Sequence, residues 1–414
     1  MDKNTTKSVI TEYLSPLNHN FLLAAIQSRG LDRYVKKLHT FVALQLFVFA
    51  QLMQTPSYAS LSLLLNTNRK LQKTVGLSSI STAQLSSKWR DLDHSFLAYV
   101  FGHIAGQATK KFGSAKTTQK LRALHLVDAS TITMCLSKYR WATYSKKKAG
   151  VRLHLRFIHS DAAFFPEKVV LTSGNVHERK YMGELVSADK EVLNIFDRGY
   201  VDYKKFDTYC NNGVRFVTRL RQSACMKVLE ERAVASDANV GDATVLLGSD
   251  VSAYKMKNPL RLITCFDEKG EQVLICTNDF ELSVEEIADI YRNRWQIEIF
   301  FKWIKQHLHV KHFYGTSRNA VYNQIYAALI AYCLVLLTRD ELHYRGTLWE
   351  LTKSIRMCWY ENLIHFVKLL FRPPKQKSGG RQKSKAERLF KETQLQYESG
   401  ECDHLDDLTY DPIA

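Results

Sequence analysis

Val192-Leu-Asn-Ile-Phe-Asp-Arg-Gly199 holds four apolar residues around Asn194 and ends on a carboxylate and a glycine. A short apolar run bounded by a turn signal reads as a buried strand. Gly199 permits a sharp turn just past Asp197. Working outward, the same pattern recurs at 124–127, a short strand that ends at Asp128. Between them, 151–158 alternates apolar residues with Arg152, His154 and Arg156, and 168–172 is a third strand candidate. Residues 177–190 and 202–211 read as helices, and 215–219 as a fifth strand. Strand-strand-strand-helix-strand-helix-strand is the order of a mixed α/β sheet, with carboxylates at the C-terminal ends of two strands.

The flanks differ in character. Residues 1–118 read as an all-helical N-terminal domain, with helical apolar spacing over 31–53 and 94–110 and shorter helical candidates at 58–65 and 81–93. Residues 80–90 form a helix capped by Ser81 or Thr82 that presents Ser86, Lys88 and Arg90, an element suited to DNA recognition or to packing alone. From about 222 to 280 come further strand-like pieces, 243–247, 260–266 and 272–277. The last two are joined by a turn at 267–270 and read as a β-rich insertion. Residues 318–371 are helical and apolar-rich. In the tail, 372–388 holds seven Lys/Arg and 398–411 holds six carboxylates, so 372–414 is expected to be a disordered charged tail.

Composition narrows the partners. With 58 Lys/Arg against 41 Asp/Glu the formal net charge is +17, an excess that points to a polyanion, nucleic acid before an acidic membrane surface. The apolar runs at 41–53 and 325–338 are shorter than the roughly 20 residues of a spanning helix and read as buried helices. No stretch resembles a signal peptide, so a soluble cytoplasmic protein is expected, without membrane association. Eight scattered cysteines with no Cys-x-x-Cys spacing argue for reduced thiols rather than disulfides or zinc.

The third carboxylate comes from a helix. Ser283 and Glu286 form a capping box, and one amphipathic helix is expected to follow to about residue 308. At 100° per residue, with Tyr291 at zero, Arg294, Glu298 and Lys305 fall within an arc of about 60°. Along the axis this group spans roughly 21 Å. Ile290, Ile297, Phe301 and Ile304 form the neighbouring stripe that anchors the helix. A salt-bridged surface explains Arg294 and Glu298 alone, as an i,i+4 pair. Combined with Asp128 and Asp197, Glu298 instead completes a set of three carboxylates. Such a set suits two divalent ions about 3.5–4 Å apart acting on a phosphodiester. Trp295 and Trp303 point off this arc, toward core packing. A lone histidine such as His154 or His177 is more often a hydrogen-bonded structural residue than a ligand. Ser145-Lys-Lys-Lys148 reads as a solvated loop able to follow a phosphate backbone.

The spacing Tyr291-x2-Arg294-x3-Glu298-x6-Lys305 matches the signature of the insertion-sequence-four family of DDE transposases, and Asp128 and Asp197 lie in contexts similar to that family's first two catalytic aspartates. The stretch 150–154 also resembles its second-strand region. The resemblance covers roughly residues 120–340. It implies a ribonuclease-H-like catalytic core over 119–317 with a β insertion, preceded by a helical accessory or DNA-binding domain. It further implies cut-and-paste movement of DNA between terminal inverted repeats, with two Mg²⁺ ions or Mn²⁺. Asp128, Asp197 and Glu298 would then be catalytic metal ligands, and Tyr291, Arg294 and Lys305 would bind the transposon-end phosphates. A homodimer would hold the paired ends on double-stranded DNA. Members that use a hairpin route stack a flipped base on a tryptophan in or beside the insertion. No Trp lies between Trp141 and Trp295, which leaves that role without a residue here. The alternatives are a ribonuclease-H-like nuclease or resolvase that only hydrolyses, and a non-catalytic DNA-binding regulator.

Overall fold

A computed structural model describes residues 7–113, 123–160, 163–232, 240–249, 254–266, 270–307, 312–372 and 381–398. The chain divides into two compact units. One comprises residues 109–133 and 143–298, the other residues 1–108, 134–142 and 299–414.

The first unit is built on a mixed sheet of ten strands among the described residues: β1 (Ala123–Met134), β2 (Thr143–Ser145), β3 (Lys148–His159), β4 (Phe164–Ser173), β5 (Val192–Phe196), β6 (Arg215–Arg219), β7 (Met226–Arg232), β8 (Gly241–Leu247), β9 (Leu260–Phe266) and β10 (Gln272–Thr277). The central order is β4-β3-β1-β5-β6, with β3 and β4 antiparallel and β5 parallel to both β1 and β6. This is the mixed α/β sheet that the sequence predicts, in keeping with the ribonuclease-H-like core that the resemblance implies. All five anticipated strands are present. The first is longer than expected, so Asp128 lies inside β1, one residue past the last β1–β5 pair, Val127 with Phe196. Phe196 and Phe216 stack at 5.8 Å and Phe206 and Phe216 at 4.6 Å, making an aromatic core under adjoining strands.

The β-rich stretch expected after β6 is present and extends the sheet: β10 pairs antiparallel with β6, and β9, β8 and β7 continue outward in turn. The turn expected at 267–270 lies largely outside the described residues, and β7 was missed because its residues are mostly exposed and charged. Two helix expectations are corrected here. Residues 177–190 do not form one helix but a 3₁₀ turn (Glu178–Tyr181) and a single α-helical turn, α8 (Met182–Leu185). Beyond it the amide of Ser187 donates to Asn194 Oδ1 at 2.8 Å, and Asp189 Oδ1 accepts from the Glu191 amide at 2.9 Å, diverting the chain into β5. The helix expected from 283 to 308 is two helices, α10 (Val284–Arg292) and α11 (Trp295–His307). The amides of Arg294, Gln296 and Ile297 bond three residues back, a 3₁₀ tightening that breaks the regular wheel. The 202–211 helix is α9 (Tyr203–Asn212), capped by Asp202 and closed by Gly213 at φ 67°.

In the second unit, seven N-terminal helices, α1 (Val9–Tyr13), α2 (His19–Ser28), α3 (Thr40–Leu52), α4 (Tyr58–Thr67), α5 (Arg69–Val75), α6 (Thr82–Asp91) and α7 (His94–Phe112, whose end belongs to the first unit), join α12 (Arg318–Glu341), α13 (Leu348–Cys358), α14 (Leu363–Leu370) and α15 (Arg381–Glu398). The sequence reading separates these N- and C-terminal regions, whereas the structure merges them. α12 is buried on all sides from Ala320 to Thr338, the pattern of a core helix. Tyr13 Oη donates to Ala331 O at 3.1 Å, and Asn323 Nδ2 to the carbonyls of Trp89 and Leu92. Lys88 is not presented to a partner: its Nζ pairs with Asp32 at 3.2 Å and donates to Thr40 Oγ1 at 2.7 Å. Residues 381–398 are helical rather than disordered, with Phe390 buried, while 373–380 and 399–414 lie outside the described residues.

Two arginines, Arg261 buried and Arg215 half-buried, anchor the segment that launches α10. Arg215 on β6 grips Asp279, whose Oδ1 accepts the amides of Glu281 and Leu282. Arg261 on β9 forks onto Asp242 at 2.8 and 3.0 Å and donates to Leu282 O. Removing one partner of such a buried pair strands the other charge, at about 3–5 kcal/mol. Asp242→Ala should therefore lower the urea unfolding free energy of the cooperative unit by about that amount. A loss below about 1 kcal/mol, the range of exposed pairs, would contradict this anchoring.

Candidate active site

The site begins with the pairing of β1 and β5. Because the strands are parallel and in register from Ala123/Val192 to Val127/Phe196, Asp128 and Asp197 leave the pairing at the same level of the sheet. Asp197 caps the next 3₁₀ turn, its Oδ1 accepting the Gly199 amide at 2.7 Å, while Thr218 Oγ1 on β6 donates to its carbonyl. Asp128 is only 7% exposed, and its Oδ1 accepts the Ala129 amide at 2.7 Å.

Arg294, at the break between α10 and α11, joins the third carboxylate to this pair. Its Nη1 lies 3.2 Å from Asp128 Oδ2 and 3.5 Å from Glu298 Oε1. The i,i+4 pair expected along the helix is present, but it faces β1 instead of forming an isolated surface pair. Glu298 in the first turn of α11 also lies where the helix dipole favours a negative charge. Burial pushes the Asp128 carboxyl well above the usual range, Glu298 and Asp197 add to this, and Arg294 and the Ala129 amide oppose it. Burial works against the Arg294 charge, yet Asp128, Tyr291, Glu298 and Asp197 hold its pKa above the ordinary value. Burial likewise raises the Tyr291 hydroxyl, with Asp197 adding and Arg294 and Arg219 offsetting. Tyr291, Arg294, Glu298, Asp128 and Asp197 thus share one electrostatic neighbourhood. Lys305 lies two turns beyond Glu298 on α11, past the Glu298/Ile299 division between the units.

Among the described residues no three His, Cys, Asp or Glu side chains stand close enough to hold a metal ion. The Arg294 guanidinium stands between two of the acids. The donor set is nonetheless one of hard carboxylate oxygens, which suits Mg²⁺ or Mn²⁺. Gly199 adds a cradle: a Cβ there would sit 2.9 Å from Asp197 Oδ1, so a side chain would crowd the carboxylate. These residues fit a divalent cation.

Comparison with known proteins gives the family. Residues 120–334 match the family model described as Transposase DDE domain. The chain belongs to the DDE transposases. It is similar to a probable transposase for insertion sequence element IS5377 of Geobacillus stearothermophilus, 30% identical over 64% of this chain and 69% of that one. A putative transposase y4zB of Sinorhizobium fredii is 30% identical over 67% of this chain and 76% of its own. A putative transposase for insertion sequence element IS4SA of Synechocystis sp. is 26% identical over 70% and 81%. Among solved structures, a piggyBac transposase synaptic complex with hairpin DNA aligns with 89% of this chain and 80% of that one, with TM-score 0.41 and 10% identity. Membership makes the chain a divalent-metal-dependent enzyme of DNA transposition.

The other residues singled out in the sequence fall where packing predicts. Trp295 and Trp303 are buried, Trp303 edge-on to Tyr332 at 4.9 Å. Lys146, Lys147 and Lys148 are exposed at the β2–β3 hairpin. Two residues near the acids, Glu178 and Tyr200, were not anticipated. The first lies in a segment read as an ordinary helix, and the second carries no motif beyond following Gly199.

His154 on β3 is fully buried, with Nε2 2.9 Å from Thr172 Oγ1 and its ring 4.9 Å from Tyr181. Burial, aided by Arg152, lowers its pKa to about 4. The unfolded chain, titrating near 6.5, binds more protons between those values, so stability rises with pH through that window and falls on acidification. Between pH 7 and pH 5 the transposase should lose about 2 kcal/mol more unfolding free energy than His154→Asn. Equal losses in urea titrations of the two proteins would refute a buried neutral imidazole.

Proposed function

We propose that Asp128, Asp197 and Glu298 are the catalytic metal ligands of this transposase and hold two Mg²⁺ ions, for which Mn²⁺ can substitute. The observation that carries the reading is the parallel β1–β5 register, which sets Asp128 beside Asp197, together with the Arg294 bridge from Asp128 to Glu298. Bound there, the ions would activate the attacking oxygen and stabilise the leaving oxygen of a phosphodiester. Water attack at the transposon end leaves a 3′-OH and a 5′-phosphate, and that hydroxyl then attacks target DNA, one P–O bond forming as another breaks.

The chain's own cations fit the substrate. Arg294, freed from its acids, can fork onto a phosphate in bidentate fashion, Lys305 contributes a point charge, and the Tyr291 hydroxyl donates a hydrogen bond. The net charge of +17 supports binding to double-stranded DNA at terminal inverted repeats and at the target. A homodimer would hold two ends together. The protein would act in the cytoplasm, on the nucleoid, with no membrane role: the one long apolar helix among the described residues, α12, is buried in the structure.

Asp128→Asn, Asp197→Asn and Glu298→Gln should each lower Mg²⁺-dependent end cleavage roughly a thousandfold or more, since each forfeits several kcal/mol of transition-state charge stabilisation. End binding in EDTA should persist. Lys305→Ala should instead weaken end binding and reduce the log–log salt slope by about 0.9. Wild-type cleavage by all three carboxamide variants would refute the assignment. Cleavage without joining to target plasmid would favour a purely hydrolytic nuclease.

A further inference from the structure

Glu178 opens the 3₁₀ turn after β4, and its Oε2 lies 2.9 Å from the position a Cβ on Gly199 would take. Asp197 Oδ1 lies 2.9 Å from that same point. Two carboxylate oxygens measured from one point cannot be further apart than the sum of those distances, so they face each other across the backbone of Gly199. A bare glycine is what leaves room between them. Gly199 does not have the positive φ that would require glycine, so space is the reason for the residue here.

The surroundings are built to hold Glu178 in place. Arg152 on β3 donates from Nε to Thr131 Oγ1 on β1 at 3.2 Å and from Nη1 to the Val176 carbonyl at 3.1 Å, and lies 3.5 Å from Glu178 Oε1. One arginine thus ties the strand carrying Asp128 to the loop carrying Glu178 and leaves Glu178 Oε2 turned toward Asp197. Next to Gly199, Tyr200 is fully buried, and its hydroxyl has no hydrogen-bond partner among the described residues. Burial first, then the charges of Asp128, Glu178 and Asp197, raise that hydroxyl well above its ordinary range, so it lies within the field of all three acids. Buried polar groups are nearly always satisfied. The described residues leave this phenol without a partner.

We propose that Glu178 is a fourth oxygen donor to the divalent-cation site, on the Asp197 side, and that Gly199 is kept without a side chain so that the two carboxylates can close on one ion. This rests on the reading of Asp197 as a metal ligand.

The test is Mn²⁺ binding to the full chain without DNA, followed by the electron paramagnetic resonance signal of free Mn²⁺, with thermal unfolding as the folding control. Asp197→Asn, Glu178→Gln and Gly199→Ala are compared with the unmodified chain. The expected result is loss of binding for Asp197→Asn, at least a tenfold weaker Kd for Glu178→Gln, and a comparable weakening for Gly199→Ala, which changes no charge. If Asp197→Asn loses Mn²⁺ while Glu178→Gln and Gly199→Ala both bind it like the unmodified chain, Glu178 only pairs with Arg152. The proposal is then overturned and the three-carboxylate reading stands. If Asp197→Asn itself binds Mn²⁺ normally, that reading falls and takes the fourth donor with it. Should Glu178→Gln fail to fold, Glu178→Asp decides, since it keeps a negative charge for Arg152 but withdraws the carboxylate by one methylene: Mn²⁺ binding as tight as that of the unmodified chain overturns the proposal.

Discussion

Parallel pairing of β1 with β5 is the constraint from which the rest of the site follows. Two neighbouring strands running the same way deliver the residues just past their last common pair to the same level of the sheet. Here those residues are Asp128 and Asp197. Strand register is set by which side chains the core accepts, and in β5 all five residues are buried. A slip by one residue would turn Phe196 away from Phe206 and Phe216. The aromatic packing therefore fixes the separation of two negative charges that would otherwise move apart. Like charges so placed destabilise each other, and the neighbouring cations offset the cost: Arg294 on Asp128, and Arg152 on Glu178.

The third acid arrives by a different route. Glu298 belongs to a helix, and a helix is positioned by whatever precedes it. Arg215 with Asp279, and Arg261 with Asp242 and the Leu282 carbonyl, hold the approach to α10 against β6 and β9. Of these two strands, β9 belongs to the stretch that the sequence marks as an insertion. Because β10 continues the sheet from β6, that stretch braces the helix. The helix then tightens at Asn293 and Arg294, and it is at this irregularity that the guanidinium turns to Asp128.

Much of this was legible in the amino-acid sequence, and the reasons differ by element. The strands 192–196 and 215–219 were bounded correctly because continuous apolar runs stop at unmistakable turn residues. Asp128 was placed at a strand end because the apolar pattern stops there. The strand continues to Met134, since backbone pairing does not depend on side-chain polarity. The break between α10 and α11 could not be seen: no proline or glycine marks it, and the wheel assumed a constant 100° per residue. The residues 177–190 have helical composition, but Asn194 in the strand that follows takes the Ser187 amide, a side-chain contact that helical periodicity does not report. Lys88 reads as a presented cation until its partner Asp32, fifty-six residues earlier, comes into view. Grouping of the N- and C-terminal helices into one unit depends on side chains such as Asn323 reaching the ends of α6, contacts that span the chain.

The most direct measurement is anomalous diffraction at the manganese edge from crystals of the full chain soaked with Mn²⁺. If Asp128, Asp197 and Glu298 form the metal site, the anomalous density lies among their carboxylates, and the Arg294 guanidinium has left its place between Asp128 and Glu298. Manganese bound only elsewhere, with Arg294 still bridging the two acids, would contradict it.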